Sequence, residues 1–325
     1  MRKHLVRILL VAFALFLIPT LALSWGDDGH KLINRSAVAR IPADMPDFMK
    51  AGAAQIIYEG PEPDRWRSEL EKPLDAANAP DHFIDIEYVD WMKQFPADRY
   101  KYIQEIYEYR TAHPEAKLPP PEKIGFQPYI TIEVFDRLKV AFREYRHAKA
   151  AGQPTAQAEA NALFYAGWLG HYVGDGANPM HTSIQYNGWV GDNPKGYSTA
   201  HDIHSKFESV FVRANLAELE VGNLMAAPRH LDHPFNDYIA YLRDSQKVVE
   251  KSYEIEKACG FEGHGTAEGR EFVRHRLAAG SQMLLNLWYT AWMDSATDPE
   301  PYHGPRAEKK EKPCPPDAAK PETSK

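Results

Sequence analysis

Histidine and carboxylate side chains recur at helical spacing in the middle of the sequence. His171 and Asp175 are four residues apart, and His204 and Glu208 repeat this spacing on a second segment. Residues four apart lie on the same face of a helix, so each pair presents an imidazole and a carboxylate together. His181 follows Asp175 beyond a proline, which ends a helix and lets the chain turn back. Zinc and similar divalent cations bind this mixture of nitrogen and oxygen, so the sequence predicts a metal site here.

Core packing is the alternative explanation for these histidines. A lone histidine beside an apolar helix face is usually a satisfied core residue rather than a ligand. Here, however, five polar groups would have to be buried together, and without a metal they would need a large hydrogen-bond network. We therefore favour metal ligation for the set as a whole.

The residues that lead into His171 predict the helix that carries it. Phe164, Trp168 and Leu169 are apolar at helical spacing, and Pro179 ends the pattern. Alternating strand patterns are few and no internal repeat is found, so the predicted fold is all-α. Further helices are predicted at about 31–58, 132–151, 204–226, 235–257 and 268–295.

Residues 1–24 have the pattern of a secretory signal peptide. Basic residues come first, residues 8–18 form an unbroken apolar run, and Ala22 and Ser24 supply small side chains before the cleavage point. Cleavage after Ser24 would make Trp25 the mature N-terminus of a secreted or periplasmic protein. An uncleaved membrane anchor is the alternative, but the apolar run is short for a bilayer span.

The rest of the chain is long enough for one large helical domain, predicted at 25–297. Residues 298–325 are rich in proline, lysine and glutamate, which predicts a disordered tail. The formal net charge of −7 offers no general basic surface for nucleic acid, although a metal site binds phosphate locally. With only Cys259 and Cys314, a disulfide-stapled scaffold is excluded, and a single bridge between the two is left open.

The motifs, taken in order, resemble those of the zinc-dependent phospholipase C family and its relatives, the zinc-dependent single-strand-specific nucleases. They are an N-terminal Trp with a nearby His, an Asp followed later by His-Phe, then His-x3-Asp-x5-His, and finally His-x3-Glu. The resemblance extends from Trp25 to about Trp292. It implies an all-α fold built around three clustered zinc ions.

The resemblance also implies a ligand set for each zinc ion. The first zinc would be held by Asp64, His82, His171 and Asp175, and the second by His181, His204 and Glu208. The third would take the α-amino nitrogen and carbonyl oxygen of Trp25, His30, and Asp175 as a bridge. The gap between Asp64 and His82 is longer than usual in the family, so Asp75 is kept as an alternative ligand.

Signal cleavage would create one of these ligands. A backbone amide is a poor zinc ligand, whereas a free terminal amine at Trp25 coordinates once it is deprotonated. Three zinc ions suit phosphodiester hydrolysis by attack of a zinc-bound hydroxide on phosphorus, with no Ser or Cys nucleophile. Asp64 is the candidate catalytic residue, because it could position or deprotonate the attacking water as well as bind zinc.

Two substrate classes remain after this comparison. The sequence Asn-Pro-Met-His181 and the final Glu208 resemble the phospholipase branch, which we favour, and a phospholipid substrate would bring transient contact with a membrane surface. The short spacing from Trp25 to His30 resembles the nucleases, which cleave single-stranded nucleic acid or nucleotides. There Phe83 and Asp85 would bind the base by stacking and hydrogen bonding.

The choline pocket of the phospholipases is only partly recognisable. Asp28 stands where an acidic residue would meet the quaternary ammonium, but Arg65 and Ala79 replace the expected aromatic residues. A third interpretation is a non-catalytic exported zinc-binding protein. No protein partner is inferred from the sequence.

Overall fold

A computed structural model describes residues 25–219 and 221–299 of the chain. Within these ranges all regular structure is helical, apart from one isolated bridge between Tyr186 and Gly188. The predicted all-α fold class is therefore confirmed. The signal peptide, and the tail from residue 300 onward, lie outside the described residues and stay predictions. No described helix is both long enough and apolar enough to cross a bilayer.

Fourteen α-helices are found in the described part of the chain, joined by short 3-10 segments and one π-helical turn. The α-helices are α1 Gly26–Val38, α2 Asp47–Ala51, α3 Ala53–Glu59, α4 Glu62–Arg65, α5 Lys72–Asn78, α6 Arg99–Ala112, α7 Pro121–Ile124, α8 Gln127–Ala150, α9 Ala156–Ala177, α10 Ile203–Ser205, α11 Phe211–Asn215, α12 Pro234–Gln246, α13 Val249–Lys257 and α14 Ala267–Asp294. The other turns are Ala79–His82, Ile86–Val89, Pro114–Ala116, Pro179–His181, Leu216–Glu218 and Gly222–Leu224 (3-10) and Lys206–Val210 (π).

Helix α9 lies at the centre of the fold. It packs against α8, α14, α1 and α3, and every residue from 169 to 177 is buried. A helix that is buried on all sides must be apolar or must satisfy its polar groups within the protein. The C-terminal half of α9, which carries His171 and Asp175, is therefore enclosed by other helices.

Two glycines on α9 allow helix α1 to approach closely. A Cβ atom on Gly170 would overlap the side chain of Asn34, and one on Gly174 would lie 3.0 Å from His30 Nδ1. Both neighbours lie on α1 and are four residues apart, so they share one face of that helix. The close approach brings His30 next to the polar end of α9.

Several predicted helix boundaries were wrong. The segment 31–58 forms three helices, because Pro42 and Pro46 interrupt the amphipathic pattern. The segment 204–226 is a series of short helical turns, and 235–257 is two helices that meet near residue 248. The helices predicted at 132–151 and 268–295, and the end of the His171 helix before Pro179, agree with α8, α14 and α9.

Candidate metal centre

Eight of the nine predicted ligands converge at the C-terminal end of α9, although they come from six parts of the chain. His171 and Asp175 lie on α9 itself, and the turn that Pro179 begins carries His181. The remaining side chains come from four other segments: His30 from α1, Asp64 from α4, His82 from the 3-10 turn after α5, and His204 and Glu208 from α10 and the adjoining π-helical turn. Their potential ligand atoms form three groups with metal-binding spacing, of which the first two share His171: His30, Asp64 and His171; His82, His171 and Asp175; and His181, His204 and Glu208.

The third of these groups has the dimensions of a zinc site. Glu208 Oε2 lies 3.4 Å from His181 Nε2 and 3.0 Å from His204 Nε2, and the two Nε2 atoms are 3.1 Å apart. Ligands bound about 2.1 Å from a tetrahedral zinc lie about 3.4 Å from one another. The three side chains could therefore hold one ion after only small adjustments.

Similar spacings connect the residues of the other two groups. Asp64 Oδ1 lies 3.5 Å from His82 Nε2 and 3.8 Å from His171 Nε2. The two Asp175 carboxylate oxygens face different histidines, Oδ1 at 3.5 Å from His30 Nε2 and Oδ2 at 3.4 Å from His171 Nε2. A carboxylate in this position could be shared by two ions.

Backbone carbonyls orient four of the five histidines. A carbonyl oxygen only accepts hydrogen bonds, so the imidazole Nδ1 must donate and Nε2 keeps its lone pair for a metal. The Nδ1-to-carbonyl pairs are His82 to Asn78 at 2.9 Å, His171 to Gly60 at 2.9 Å, His181 to His82 at 2.7 Å and His204 to Tyr186 at 3.1 Å. All four rings are thereby held in the tautomer that binds zinc through Nε2.

Several buried atoms in this cluster have no hydrogen-bond partner in the described part of the chain. They are both carboxylate oxygens of Asp64, Nε2 of His82 and of His171, and Oε1 of Glu208. Leaving such groups unsatisfied in the interior costs roughly 1–3 kcal/mol each. Cations bound in these groups would coordinate the unpartnered atoms of Asp64, His82 and His171, so the residues present fit zinc.

Burial sets the protonation of the inner histidines. Burial lowers the pKa of His30 to about 4 and holds the pKa of His171 well below its usual range. Burial also lowers the pKa of His181, although Glu208 opposes the shift. These imidazoles are neutral near pH 7, which is the form that binds a metal.

In the outer pair, His204 and Glu208, burial does not decide the direction of the pKa shifts. Burial, the largest single influence, would lower the pKa of His204 and raise that of Glu208. The attraction within the pair, together with the Tyr186 carbonyl at His204 and His181 at Glu208, outweighs it. The pKa of His204 is therefore raised, and the pKa of Glu208 falls to about 2. Glu208 is ionised throughout the physiological range and offers a full negative charge.

Trp25, the ninth predicted ligand, anchors the start of α1 beside the cluster. Its side chain is fully buried, its indole N–H donates to the carbonyl of Gly174 at 2.6 Å, and its ring packs against Phe207. The Trp25 carbonyl accepts the first helical hydrogen bond of α1, from the Gly29 N–H at 3.1 Å. The amine ligand depends on cleavage of residues 1–24, which lie outside the described residues, and stays a prediction.

Asp64 and Asp75 occupy different environments. Asp64 is buried among the histidines, whereas the Asp75 side chain is 41% exposed and lies outside the three groups. Asp75 instead approaches Arg67, with 3.5 Å between its Oδ1 and the arginine Nε. The geometry therefore favours Asp64 as the ligand.

Arg67 is a charged neighbour of the cluster that the sequence patterns did not single out. Its backbone N–H donates to the Asp64 carbonyl at 3.1 Å, which fixes it one turn from that ligand. Its positive charge lies near enough to His204 to lower the pKa of that imidazole, against the larger opposing effect of Glu208. In the sequence, only its position three residues after Asp64 could have indicated that it lies near the cluster.

The three predicted substrate-binding residues are arranged around the cluster rather than in it. Asp28 is part-exposed and pairs with Arg213, with 3.4 Å between Oδ2 and Nε. Phe83, next to His82, is half-buried. Asp85 is buried, and burial together with nearby Glu87 raises the pKa of its carboxyl group to about 7.

Two solved structures are similar to this chain in overall fold. Alpha toxin from Clostridium absonum is 14% identical with a TM-score of 0.40, and the match covers 83% of this chain and 64% of that chain. The alpha-toxin of Clostridium perfringens from avian strain SWCP is 12% identical with a TM-score of 0.36 and the same coverage, 83% and 64%. This chain thus spans less than two thirds of either toxin chain, and a similarity this low carries no site residue or reaction across. No protein-family model and no curated protein matches the sequence.

Proposed function

We propose that this protein is a zinc-dependent hydrolase of phosphodiester bonds. The observation that carries the proposal is the buried cluster of five histidines and three carboxylates. Its potential ligand atoms lie at zinc-like spacings, and several of them have no hydrogen bond within the described residues. A purely structural core would not leave Asp64 with two unsatisfied carboxylate oxygens.

Zinc bound in such a cluster lowers the pKa of a coordinated water toward about 7 and neutralises charge on phosphoryl oxygens. The protein's own contribution is to fix the geometry before substrate arrives. Asp175 links the inner histidines, and Asp64 could bind a metal through one oxygen and hold or accept a proton of the attacking water with the other. Neutral His30 and His171 add no positive charge of their own that would compete with a cation.

Arg67 is suited to bind the substrate anion. Its guanidinium is tethered by Asp75 and its side chain is 36% exposed. Its charge lies near enough to His204 to lower the pKa of that imidazole, so it is placed to meet a phosphoryl group at the cluster. Arginine forms charge-assisted, often bidentate hydrogen bonds with phosphate oxygens. We assign Arg67 to substrate binding, with Asp75 as the residue that positions it.

The substrate we favour is a phospholipid. The motifs around His181 and Glu208 support this choice, and so does the surface near His204, the most exposed ligand. Tyr186 is 52% exposed, with its ring 6.3 Å from that of His204. An exposed aromatic side chain beside a site suits an approach to lipid. The protein would then contact the membrane surface only transiently.

Single-stranded nucleic acid or a nucleotide is the second candidate substrate. Phe83 is half-buried and thus has ring surface free for stacking, and Asp85 nearby has a pKa of about 7. A carboxyl group that titrates near neutrality can either donate or accept a hydrogen bond at a base edge. The ion pair with Arg213 occupies the Asp28 carboxylate that would otherwise meet the ammonium group of choline. An exposed ion pair of this kind is weak, so a ligand could displace it.

The deciding experiment uses mature protein that begins at Trp25, with Asp175→Asn as the inactive control. Elemental analysis gives the zinc content, and the same sample is tested on short-chain phosphatidylcholine and on single-stranded DNA. We expect about three zinc ions per chain and release of phosphocholine. Nucleotide release instead would assign the protein to the nuclease class. Zinc binding with no hydrolysis of either substrate would leave the non-catalytic zinc-binding interpretation, and absence of zinc would refute the proposal.

A further inference from the structure

Asn78 contacts the three chain segments that carry Asp64, His82 and His171. Its backbone carbonyl accepts from His82 Nδ1 at 2.9 Å, and its side-chain N–H donates to the carbonyl of Pro63 at 2.9 Å. Its side-chain oxygen accepts from the hydroxyl of Tyr172 at 3.0 Å. Pro63 directly precedes Asp64.

The third contact ties Asn78 to α9. Tyr172 follows His171 directly and is fully buried, and its hydroxyl lies 3.0 Å from the Asn78 side-chain oxygen, which can only accept. The hydroxyl is thus the donor to the Asn78 side chain. Through these three bonds one residue spans α4, the 3-10 turn after α5, and α9.

The location of Asn78 explains why an asparagine suits this position. It is the last residue of α5, is only 5% exposed, and lies at the junction with the 3-10 turn that carries His82. One amide side chain supplies both the donor that Pro63 needs and the acceptor that Tyr172 needs. An apolar residue of the same size would leave the buried Tyr172 hydroxyl without this acceptor, which is costly in the interior. The Pro63 carbonyl, which also accepts from the Trp66 N–H at 3.2 Å, would lose one of its two donors.

We propose that Asn78 is a positioning residue that fixes the separations among Asp64, His82 and His171 before a metal binds. These separations are 3.5 Å from Asp64 to His82 and 3.8 Å from Asp64 to His171. The inference rests on the proposed zinc site, and it predicts that part of the zinc affinity comes from a residue that touches no metal. Loss of such outer contacts typically lowers metal affinity about 10- to 100-fold.

Two variants separate the contacts. Asn78→Leu removes both side-chain hydrogen bonds and keeps the backbone carbonyl that orients His82. Tyr172→Phe removes only the hydroxyl donor and keeps the buried ring. We expect Asn78→Leu to weaken one zinc site at least about tenfold, and Tyr172→Phe to weaken the same site by a smaller factor.

Matched controls come from the same fold. Asn215 is 2% exposed and donates to the carbonyls of Phe211 at 2.8 Å and Gly263 at 3.1 Å, none of which adjoins a predicted ligand. Tyr129 is 2% exposed, and its hydroxyl donates to the Pro96 carbonyl at 3.0 Å. Asn215→Leu and Tyr129→Phe should therefore cost thermal stability without changing zinc affinity.

The test measures zinc affinity by competition with a chromophoric chelator, together with the absorption spectrum of the cobalt-substituted protein. A weakened site and altered cobalt bands in both Asn78→Leu and Tyr172→Phe, but in neither control, would support the proposal. Wild-type affinity and spectrum in the two variants, or equal losses in the controls, would overturn it while the zinc site itself stands. If Asn78→Leu does not fold, Tyr172→Phe decides alone. If the wild-type protein binds no zinc, both this inference and the proposed function are wrong.

Discussion

The Nε2 atoms of His181 and His204 face each other at 3.1 Å, and Glu208 Oε2 lies within 3.4 Å of both. Two imidazole nitrogens at that distance must share a proton or a cation, since two lone pairs repel each other. The pKa of His204 is raised and the pKa of Glu208 is lowered, so the pair holds a shared proton more strongly than either group would alone. Zinc would replace that proton, so metal binding at this site should release it.

Replacing Glu208 should therefore empty one site selectively. Glu208→Gln keeps the volume and can still accept the hydrogen bond that Asn178 donates to the carboxylate at 2.9 Å, but it removes the charge. We expect the loss of about one zinc per chain and at least a 100-fold loss of activity. Elemental analysis and a phosphodiesterase assay check this, with the exposed Glu250→Gln as control. Full zinc content in Glu208→Gln would show that the group His181, His204 and Glu208 is not a metal site.

Asp175 should matter more, because it connects the inner histidines. Its oxygens lie 3.5 Å from His30, 3.4 Å from His171 and 4.0 Å from His181. Asp175→Asn should remove at least one zinc ion and nearly all activity, since an amide cannot bridge two cations as a carboxylate does. Normal metal content in the purified variant would contradict the bridge.

Part of this cluster is recognisable in the sequence because some of its elements are local. The spacing of His171 with Asp175 and of His204 with Glu208 places each pair on one helical face, and α9 ends before Pro179 as its apolar pattern indicates. The choice between Asp64 and Asp75 was different. Both residues lie at plausible distances in sequence, and only the folded chain reveals that Asp64 is buried among histidines while Asp75 meets Arg67.

The sequence could not predict the contacts that support the ligands. The carbonyls of Gly60 and Tyr186, and the side chain of Asn78, act across large separations in the chain. No residue-type pattern marks a backbone carbonyl that orients a histidine. The single helix predicted at 31–58 was wrong because Pro42 and Pro46 interrupt an amphipathic pattern that otherwise continues through this segment.

Arg67 should affect substrate binding without affecting metal content. Arg67→Ala is expected to raise KM about 10- to 100-fold, because it removes a charge-assisted contact with the phosphoryl group. Asp75→Asn should give a smaller increase, since the arginine loses only its tether. Both variants should keep wild-type zinc. Loss of zinc in Asp75→Asn would instead restore Asp75 as a ligand, and an unchanged KM in Arg67→Ala would remove that residue from the site.

The metal-free protein should lose stability in mild acid. The pKa of His30 is lowered by burial from 6.5 to about 4 in the folded state, so below pH 6.5 the unfolded chain takes up a proton that the native state refuses. This contribution is fully present above pH 6.5, falls as the pH drops toward 4, and is worth about 3 kcal/mol for His30 alone. His204 acts in the opposite direction, because its pKa is raised.

Urea unfolding in excess chelator, measured between pH 7.5 and pH 4.5, checks this prediction. The free energy of unfolding should fall over that range, and a variant such as His30→Gln should have a shallower dependence. Added zinc should raise stability most at the higher pH, because protons compete with the metal for the same nitrogens. A free energy of unfolding that does not change between these pH values would contradict the buried neutral histidines.

Phe83 offers the sharpest test of substrate class. Its half-buried ring follows His82, while the Phe83 carbonyl accepts from the Gln127 N–H at 3.2 Å, so removing the ring leaves the backbone anchored. If the substrate is a nucleotide, Phe83→Ala should lower kcat/KM on single-stranded DNA by about 10- to 100-fold, the equivalent of 1–3 kcal/mol of base stacking. If the substrate is a phospholipid, activity on phosphatidylcholine should change by less than about threefold. Phe48→Ala, at another half-buried ring that packs on Phe142 and Tyr145, controls for lost packing. Equal losses of activity on lipid and DNA, with a similar drop in Tm, would show that Phe83 is a packing residue. The substrate class would then have to be tested at the groups around His204.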